Sequence, residues 1–217
     1  MIGITSRLAR LAIAVSACCL ALIRPAAAVD LYVAAGAGSG LAVQTLGRSG
    51  PSTGYEFESD LIPTYMMPST AGLDFGVFRL EGEALVDDRR FYEFELAAGG
   101  LYGDSGLETR AGMANALIDV PTGSDVRPFF GGGIGYADVA ADGLELRGVD
   151  PRDGRDGVLA YQLRAGVAFQ ILPAAEITLG YRYFATEDLR FNGSAGDRVK
   201  VDNPASHIGE LGLRISF

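Results

Sequence analysis

The sequence predicts an all-β fold in which eight antiparallel strands form an up-and-down barrel. Apolar and polar residues alternate in repeated segments, which is the period of a strand whose successive side chains point to opposite faces. Clusters of Gly, Pro and Asp separate these segments. The connections include two short turns, at residues 121–126 and 173–174, and several long polar stretches. Short turns on one side and long loops on the other are typical of up-and-down barrels.

Each predicted strand is one alternating segment bounded by turn residues. If both chain ends lie on one side of the barrel, the long connections all lie on the other side. The turn between the second and third strands is expected at residues 68–70. Residues 91–96 also alternate, which indicates an extension of the third strand or a separate hairpin. The predicted strands are residues 30–38, 54–66, 75–87, 106–120, 127–138, 157–172, 175–187 and 206–217. The predicted long connections are residues 39–53, 88–105, 139–156 and 188–205.

The N-terminal residues have the three parts of a secretory signal peptide. Arg7 and Arg10 precede an apolar run over residues 11–23, and small residues follow up to Ala28. The run is short for a bilayer-spanning helix, which argues against the alternative of an uncleaved anchor. A lipoprotein signal ending at Cys18 is a second alternative. Cleavage after Ala28 would divide the chain into a signal peptide, residues 1–28, and one β-barrel domain, residues 29–217, exported by the general secretory route.

Charged side chains recur at alternate positions of the predicted strands. An arginine facing lipid at the bilayer midplane costs about 2–4 kcal/mol, so these groups are expected inside the barrel, where opposite charges can pair. The interior of an eight-stranded barrel is about wide enough for side chains to fill, so this lumenal charge network should plug it. The network is either structural, or it gates a passage by swinging aside. Its predicted members are Arg79, Glu81, Glu83, Arg164, Glu176, Arg182, Glu210 and Arg214.

The last predicted strand has two unlike faces. Leu211, Leu213, Ile215 and Phe217 form an apolar face that should meet lipid, whereas Glu210 and Arg214 lie on the other face. A last strand ending on phenylalanine resembles the closing strand and assembly signal of bacterial outer-membrane barrels. Phe217 is therefore expected to be a C-terminal assembly signal on a strand that pairs with residues 30–38. Side chains predicted to form aromatic girdles at the membrane interfaces are Tyr136, Tyr161, Phe169, Tyr181, Tyr183, Phe184 and Phe217.

Composition argues against several classes of site. Cys18 and Cys19 are the two cysteines and His207 is the single histidine, so the domain after Ala28 has no thiol and one imidazole for metal or haem, and no cofactor is expected. Without residues 1–28 the chain has 15 basic and 27 acidic side chains, a net charge of −12, which argues against nucleic acid as a partner. A soluble, lipocalin-like barrel is an alternative, because alternation is symmetric between faces. The signal-like N-terminus, Phe217 and the turn asymmetry favour the membrane.

Three motifs suggest chemistry that their context does not support. Ser206, His207 and Glu210 could suggest a lipid-modifying hydrolase, but Ser206 and Glu210 should point to the face opposite His207, so no catalytic residue is assigned. Residues 150–156 are acidic, but they lack the ligand order of an EF-hand and are better explained as a solvated external loop. Residues 131–135 are glycine-rich like a phosphate loop, yet they lie within an alternating strand that no helix follows.

Several segments resemble a known family. Residues 127–137, 160–169 and 179–184 look like the fifth, sixth and seventh strands of small porin-like surface antigens, and residues 79–83 and 113–116 are similar to two further strand signatures. The order and spacing match across residues 73–217, and the first two strands match only generically. The chain thus resembles the eight-stranded outer-membrane barrels that include the transmembrane part of outer membrane protein A and the opacity-type proteins. Two-domain members carry a peptidoglycan-binding domain after the barrel, which is not expected here.

This resemblance implies a place and a range of roles. The expected location is the outer membrane of a Gram-negative bacterium, and the family has no shared catalytic residues, so a non-enzymatic, porin-like surface protein serving envelope integrity or external contacts is expected. A narrow gated pore for small solutes is the main alternative, and a lipid-modifying enzyme is a third. Expected partners are membrane lipid, lipopolysaccharide, the barrel-assembly machinery and an external ligand of the long loops. The protein is expected to be a monomer. Fold alone does not choose among these roles.

Overall fold

The computed structural model describes residues 29–49, 55–91, 105–142, 155–192 and 198–217, and these residues form strands joined by tight turns. The predicted signal peptide and the acidic segment 150–154 lie outside the described residues. No described helix is long and apolar enough to cross a membrane. The strands are β1 (Asp30–Ser49), β2 (Tyr55–Asp74), β3 (Phe78–Phe91), β4 (Ser105–Asp119), β5 (Val126–Asp142), β6 (Arg155–Leu172), β7 (Ala175–Thr186), β8 (Leu189–Asn192) and β9 (Arg198–Ser216).

The strands close into an eight-stranded antiparallel barrel, as predicted. Consecutive strands pair from β1 to β7, and β9 pairs with both β7 and β1. The short strand β8 pairs with β9 where β7 has ended, so it prolongs the seventh wall of the barrel. Among the described strands, β1 to β7 and β9 are each paired on both sides, which is the condition for a sheet to stand in lipid. The Phe217 backbone N–H completes the seam by donating to the Leu31 carbonyl at 2.8 Å.

The strands on the side of the long connections are longer than predicted. β1 continues to Ser49, although residues 39–53 were expected to form a loop. β9 begins at Arg198, although residues 188–205 were expected to form another loop. The prediction ended the first strand at Gly38, although Gly40 continues the alternation beyond it. Both glycines face the lumen beside β9, and a Cβ on Gly38 would lie 2.6 Å from Ile208 Cγ2. Small side chains here permit close packing and do not end the strand.

The predicted turn at residues 68–70 is wrong, because those residues lie inside β2. Pro68 suggested a turn, but its side chain is buried in the lumen. The β1–β2 ladder continues on both sides of Pro68, with the pair Gly38–Met66 before it and the pair Ala35–Ser69 after it. The actual turn is at Phe75 to Val77, and Gly76 adopts a positive φ of 89° there. The Gly76 N–H donates to Asp74 Oδ1 at 2.7 Å, so an aspartate two residues before a glycine was the signal for this turn.

Candidate functional site

The lumen holds all eight residues of the predicted charge network. Seven of them are buried, and the side chain of Arg164 is 12% exposed. Their neighbours along each strand point outward. A period of two therefore separates charged and polar side chains inside the barrel from apolar side chains outside it. Arg110, by contrast, lies on the outer face of β4 and pairs with Glu108 at 2.7 Å.

Arg182 is the bridge across the middle of the lumen. It projects from β7 and is completely buried; its Nη1 lies 2.6 Å from Glu83 Oε1, and its Nε lies 2.8 Å from Glu210 Oε2. β3 and β7 are four places apart in a ring of eight strands, so the Glu83–Arg182 pair spans the barrel from wall to opposite wall. Gln162 joins this centre by donating from Nε2 to Glu83 Oε1 at 2.8 Å and to Asn115 Oδ1 at 2.6 Å.

Arg164 links the same carboxylates from a second direction. Its Nη1 lies 2.7 Å from Glu81 Oε2 and 3.4 Å from Glu83 Oε2, and its Nη2 lies 3.3 Å from Glu210 Oε1. Two arginines therefore share three glutamates at the centre of the barrel. A buried carboxylate needs both a counter-charge and hydrogen-bond donors, and this arrangement supplies both.

The network extends to the end of the barrel that carries the short turns, through residues that the sequence analysis missed. Arg79 lies 2.8 Å from Asp119, and Arg214 contacts Asp74 at 3.5 Å and Glu176 more closely. Arg127, whose side chain is 30% exposed, connects these groups at the mouth by contacting Glu176, Asp74 and Asp119. Asp119 lies inside the fourth predicted strand, residues 106–120, so applying the alternation there could have found it. Asp74 was missed because the second strand was predicted to end at residue 66, whereas β2 continues to Asp74.

Tyr32 anchors the network to the barrel seam. Its hydroxyl donates to Glu81 Oε1 at 2.6 Å, and two guanidinium groups lie over its ring, with centroid distances of 5.8 Å to Arg79 and 5.0 Å to Arg214. A cation over an aromatic face is favourable, more so away from water. This tyrosine on β1 therefore ties the closing strand pair to charges on β3, two walls away.

Two strands of small residues make room for these long side chains. The lumenal positions of β5 include Gly131, Gly133 and Gly135, and those of the opposite strand β1 include Gly36 and Gly38. A Cβ on Gly133 would lie 1.8 Å from Asn115 Oδ1. The cross-section is thus filled by large residues from β3, β6, β7 and β9 that lean over small ones on β1 and β5.

An apolar layer closes the lumen on the side of the long connections. It begins one inward position beyond the charges, with Leu85 after Glu83 on β3, Phe184 after Arg182 on β7, and Ile208 before Glu210 on β9. A separate pair, Asp87 and Arg89, lies beyond it at 3.0 Å. The apolar layer consists of Ala42, Met66, Leu85, Leu107, Ala111, Met113, Ala137, Val139, Val158, Ala160, Phe184, Leu189 and Ile208.

A small cavity lies beside the network. Its volume is about 30 Å³, and it is lined by Arg164, Glu210, Thr70 and Thr178 with small residues of β1. This is room for about one or two water molecules. The described part of the lumen therefore holds a small polar recess and is blocked above it by the apolar layer.

The three residues considered for a catalytic triad do not meet. Ser206 and Glu210 are buried in the lumen, whereas His207 is exposed on the outer face and its Nδ1 lies 2.6 Å from the Tyr181 hydroxyl. A working triad needs its base within hydrogen-bond reach of the nucleophile. Among the residues that the structure describes, no group of three or more His, Cys, Asp or Glu side chains could hold a metal ion.

The outer surface is an apolar belt with different aromatic residues at its two borders. Ten residues separate His207 from Phe217, and at about 3.3 Å per residue and a tilt near 40° they span roughly 25 Å, the height of a lipid-facing belt. Phe184 was predicted to lie in a girdle, and this is wrong: it is fully buried in the apolar layer, since it shares the inward face with Arg182. The exposed border residues on the turn side are Phe75, Phe78, Phe130, Phe169 and Phe217, and those on the other side are Tyr65, Tyr136, Tyr161 and Tyr181.

The chain has relatives of unknown role. No protein-family model matches it. It is 36% identical over 130 residues to uncharacterised proteins of Brucella abortus, Brucella suis and Brucella melitensis. The match covers 48% of this chain and 46% of each relative, so the chain spans about half the length of the curated relatives it matches.

Two solved structures have a similar fold. The chain superposes on Neisserial surface protein A with a TM-score of 0.54 and 18% identity, covering 86% of this chain and 97% of that one. It superposes on the outer membrane protein OprG of Pseudomonas aeruginosa with a TM-score of 0.53 and 14% identity, covering 87% and 96%. The fold is therefore that of small eight-stranded outer-membrane β-barrels, and at these identities the likeness concerns the fold alone.

Proposed function

We propose that the protein is a non-enzymatic, porin-like β-barrel of the outer membrane whose lumen is closed and whose role is in envelope integrity or contacts outside the cell. The observation that carries this proposal is the filled lumen, in which the charge network and the apolar layer are stacked. Arg182, Glu83 and Glu210 hold opposite walls together in the lower half. Phe184 and Leu85 exclude water above them.

The apolar belt supports the membrane location. Outward residues such as Leu211, Leu213 and Ile134 would lie in water if the barrel were soluble, and Ile134 is 73% exposed. A soluble monomer rarely exposes a contiguous apolar surface of this extent. The partners proposed with this location are membrane lipid, lipopolysaccharide and the barrel-assembly machinery, with Phe217 as the assembly signal. An external ligand of the long loops is proposed as well, and the protein is proposed to act as a monomer.

Heat-modifiable gel migration tests the membrane location and the closed barrel together. The mature chain extracted in detergent should migrate faster unheated than boiled, because a closed barrel resists detergent unfolding at room temperature. The protein should also stay in the outer-membrane fraction after washing with salt. A mature protein that remains soluble without detergent would refute the proposal.

A narrow gated pore is the second candidate, and the cavity beside Arg164 and Glu210 favours it, because the network is not packed solid there. Planar-bilayer recordings separate the two candidates. A structural network predicts that Arg164→Ala and Arg182→Ala leave conductance at the level of the unmodified protein, since the apolar layer still blocks the lumen. A gate predicts that either change raises conductance. Conductance of Phe184→Ala should be measured beside these two variants, because a pore through the lumen must also pass Phe184.

A further inference from the structure

The outer face of the barrel bears a groove in the middle of the apolar belt. Its volume is about 570 Å³, and it crosses the outer faces of β3 to β6. The groove exists because Ala114, Ala116 and Gly132 present small side chains or none to the outside, whereas Leu80 and Leu163 stand on either side of them. Among its outward-facing lining residues only Tyr161 is polar, and it lines the groove on β6.

A tyrosine–histidine cluster adjoins this groove. Tyr161 and Tyr183 have ring centroids 6.2 Å apart, and the Tyr183 ring lies 5.3 Å from that of His207. The Tyr181 hydroxyl lies 2.6 Å from His207 Nδ1. The tyrosine–histidine cluster therefore consists of Tyr161, Tyr181, Tyr183 and His207, on three neighbouring walls of the barrel. Tyr161 belongs to both the cluster and the groove.

The position of the cluster places hydrogen-bond donors at the level of lipid headgroups. His207 lies roughly 25 Å from Phe217 along the barrel axis, which is the full height of the belt. The same border carries outward charges on other strands, such as Asp88 and Asp138, which mark where water begins. Tyrosine and histidine side chains suit this level because each has an apolar ring and a polar end.

The cluster has a donor to offer in either charge state of His207. If the imidazole is neutral, Nδ1 accepts from the Tyr181 O–H and Nε2–H is the ring donor. If the imidazole is cationic, both ring nitrogens donate. The Tyr181 oxygen then accepts from Nδ1–H, and the Tyr181 O–H can donate to another acceptor. Hydrogen-bond donors at a headgroup level suit a phosphate.

We propose that the tyrosine–histidine cluster and the adjoining groove form one binding site for a phosphorylated glycolipid of the lipid A type. His207 and Tyr181 contact a phosphate, and an acyl chain of the same molecule lies against Ala116 and Gly132. The proposal rests on the outer-membrane location proposed above, because lipid A occupies the external leaflet, on the side of the tyrosine border. A lipid with several acyl chains suits a site that extends over several strands, each about 4.8 Å from the next.

The single histidine of the chain provides a direct measurement. The mature protein in detergent micelles has one imidazole, so its ¹H–¹³C NMR signal reports on His207 alone. Diphosphorylated lipid A, the same lipid without phosphates, and phosphatidylglycerol are added in separate titrations. Lipid A should shift the His207 signal to saturation, whereas the dephosphorylated lipid and phosphatidylglycerol should not. Tyr181→Phe should weaken binding, because it removes the hydroxyl that orients the ring.

The groove is tested by filling it. Ala116→Leu places a larger side chain between Leu80 and Gly132 and should weaken lipid A binding about tenfold. Ala37→Leu is the matched control for the groove. Ala37 is exposed on the outer face of β1, three walls away from Ala116 on β4, and its partner on the neighbouring strand β9 is Leu211, four residues from His207, so the change should leave binding unchanged. Heat-modifiable migration of each variant first shows that the barrel has formed.

Three outcomes would overturn the site. These are an equal response to dephosphorylated lipid, equal weakening by Ala37→Leu and Ala116→Leu, or a chemical cross-link between two copies that Ala116→Leu abolishes, which would assign the groove to a second copy. Failure of lipid A to bind a heat-modifiable protein would reject the site alone. A protein that is not heat-modifiable would reject the proposed location.

Discussion

At the scale of single residues, the central question is how the lumen tolerates a connected network of eleven charged groups. Arg182 answers it most clearly, because its guanidinium is fully buried yet contacts Glu83, Glu210 and Gln162. Burying an unpaired charge costs several kcal/mol, while a pair with good geometry recovers most of that cost. The eleven are the acids Asp74, Glu81, Glu83, Asp119, Glu176 and Glu210 and the arginines Arg79, Arg127, Arg164, Arg182 and Arg214.

Replacing Arg182 should destabilise the barrel strongly. Arg182→Ala leaves Glu83 and Glu210 without their shared counter-charge, at an expected cost of about 3–5 kcal/mol. The measurement is the urea midpoint of unfolding in micelles, together with the temperature at which the folded gel band disappears. Arg110→Ala is the control, because the Arg110–Glu108 pair is on the outer face and should be worth about 1 kcal/mol or less.

A second change separates lost charge pairing from lost packing. Adding Glu83→Gln to Arg182→Ala removes one of the stranded carboxylates and should recover part of the stability. If the double variant is less stable than the unmodified protein by the full sum of the two single effects, the pair does not act as a unit and the account of the network is wrong.

At the scale of the strands, small residues decide how the walls fit together. β5 carries Gly131, Gly133 and Gly135 on its lumenal face, where the side chains of neighbouring and opposite strands need the space. Gly112, on the neighbouring strand β4, faces outward instead, and a Cβ there would meet nothing within 4 Å. The same residue type therefore has two roles on adjacent strands, set by the direction in which it points.

Two glycine substitutions should give opposite results. A Cβ on Gly135 would lie 2.0 Å from the Gly112 carbonyl oxygen and 2.5 Å from Met113 Sδ, so Gly135→Ala should destabilise the barrel by about 1–3 kcal/mol. Gly112→Ala should change stability by less than about 0.5 kcal/mol. The urea midpoints of both variants are the measurement, and equal effects would contradict the assigned facing of β4 and β5.

At the scale of the whole molecule, the barrel has two unlike ends. Both described chain ends and the turns at residues 75–77, 120–125 and 173–174 lie at one end, bordered by phenylalanines. The opposite end is bordered by tyrosines and then by charged outward residues such as Asp138 and Glu187. Longer connections at the outer side are typical of outer-membrane barrels, which predicts that the tyrosine end faces out of the cell.

Cysteine labelling tests this orientation. The predicted mature chain contains no cysteine, so an introduced one is unique. Asp138→Cys, on the outer face beyond Tyr136, should react with a membrane-impermeant maleimide on intact cells. Ser124→Cys, in the turn before β5, should react only after the cells are opened. Labelling of Ser124→Cys on intact cells would reverse the orientation and remove the basis for a lipid A site.

Much of this fold could be read from the sequence because a barrel in lipid obeys a local rule. Alternation with period two fixed which face of each strand is polar, so all eight predicted network residues lie in the lumen. The same rule was misapplied at Phe184, whose aromatic ring suggested a girdle although its position in the alternation is inward. Residues 39–49 and 68–70 were assigned to loops because Gly and Pro suggest turns, and only pairing with β2, β3 and β9 keeps them in strands.

The sequence by itself determined the strand count and the inward or outward direction of most side chains, because these follow from neighbours along the chain. The tertiary structure alone decided which charges pair: Glu83 and Arg182 are 99 residues apart and meet only because β3 and β7 face each other across the lumen. It also decided that an apolar layer lies above the network and that Tyr161, Tyr183 and His207 gather on one side. Register and barrel closure set such distances, and neither is written in the local pattern.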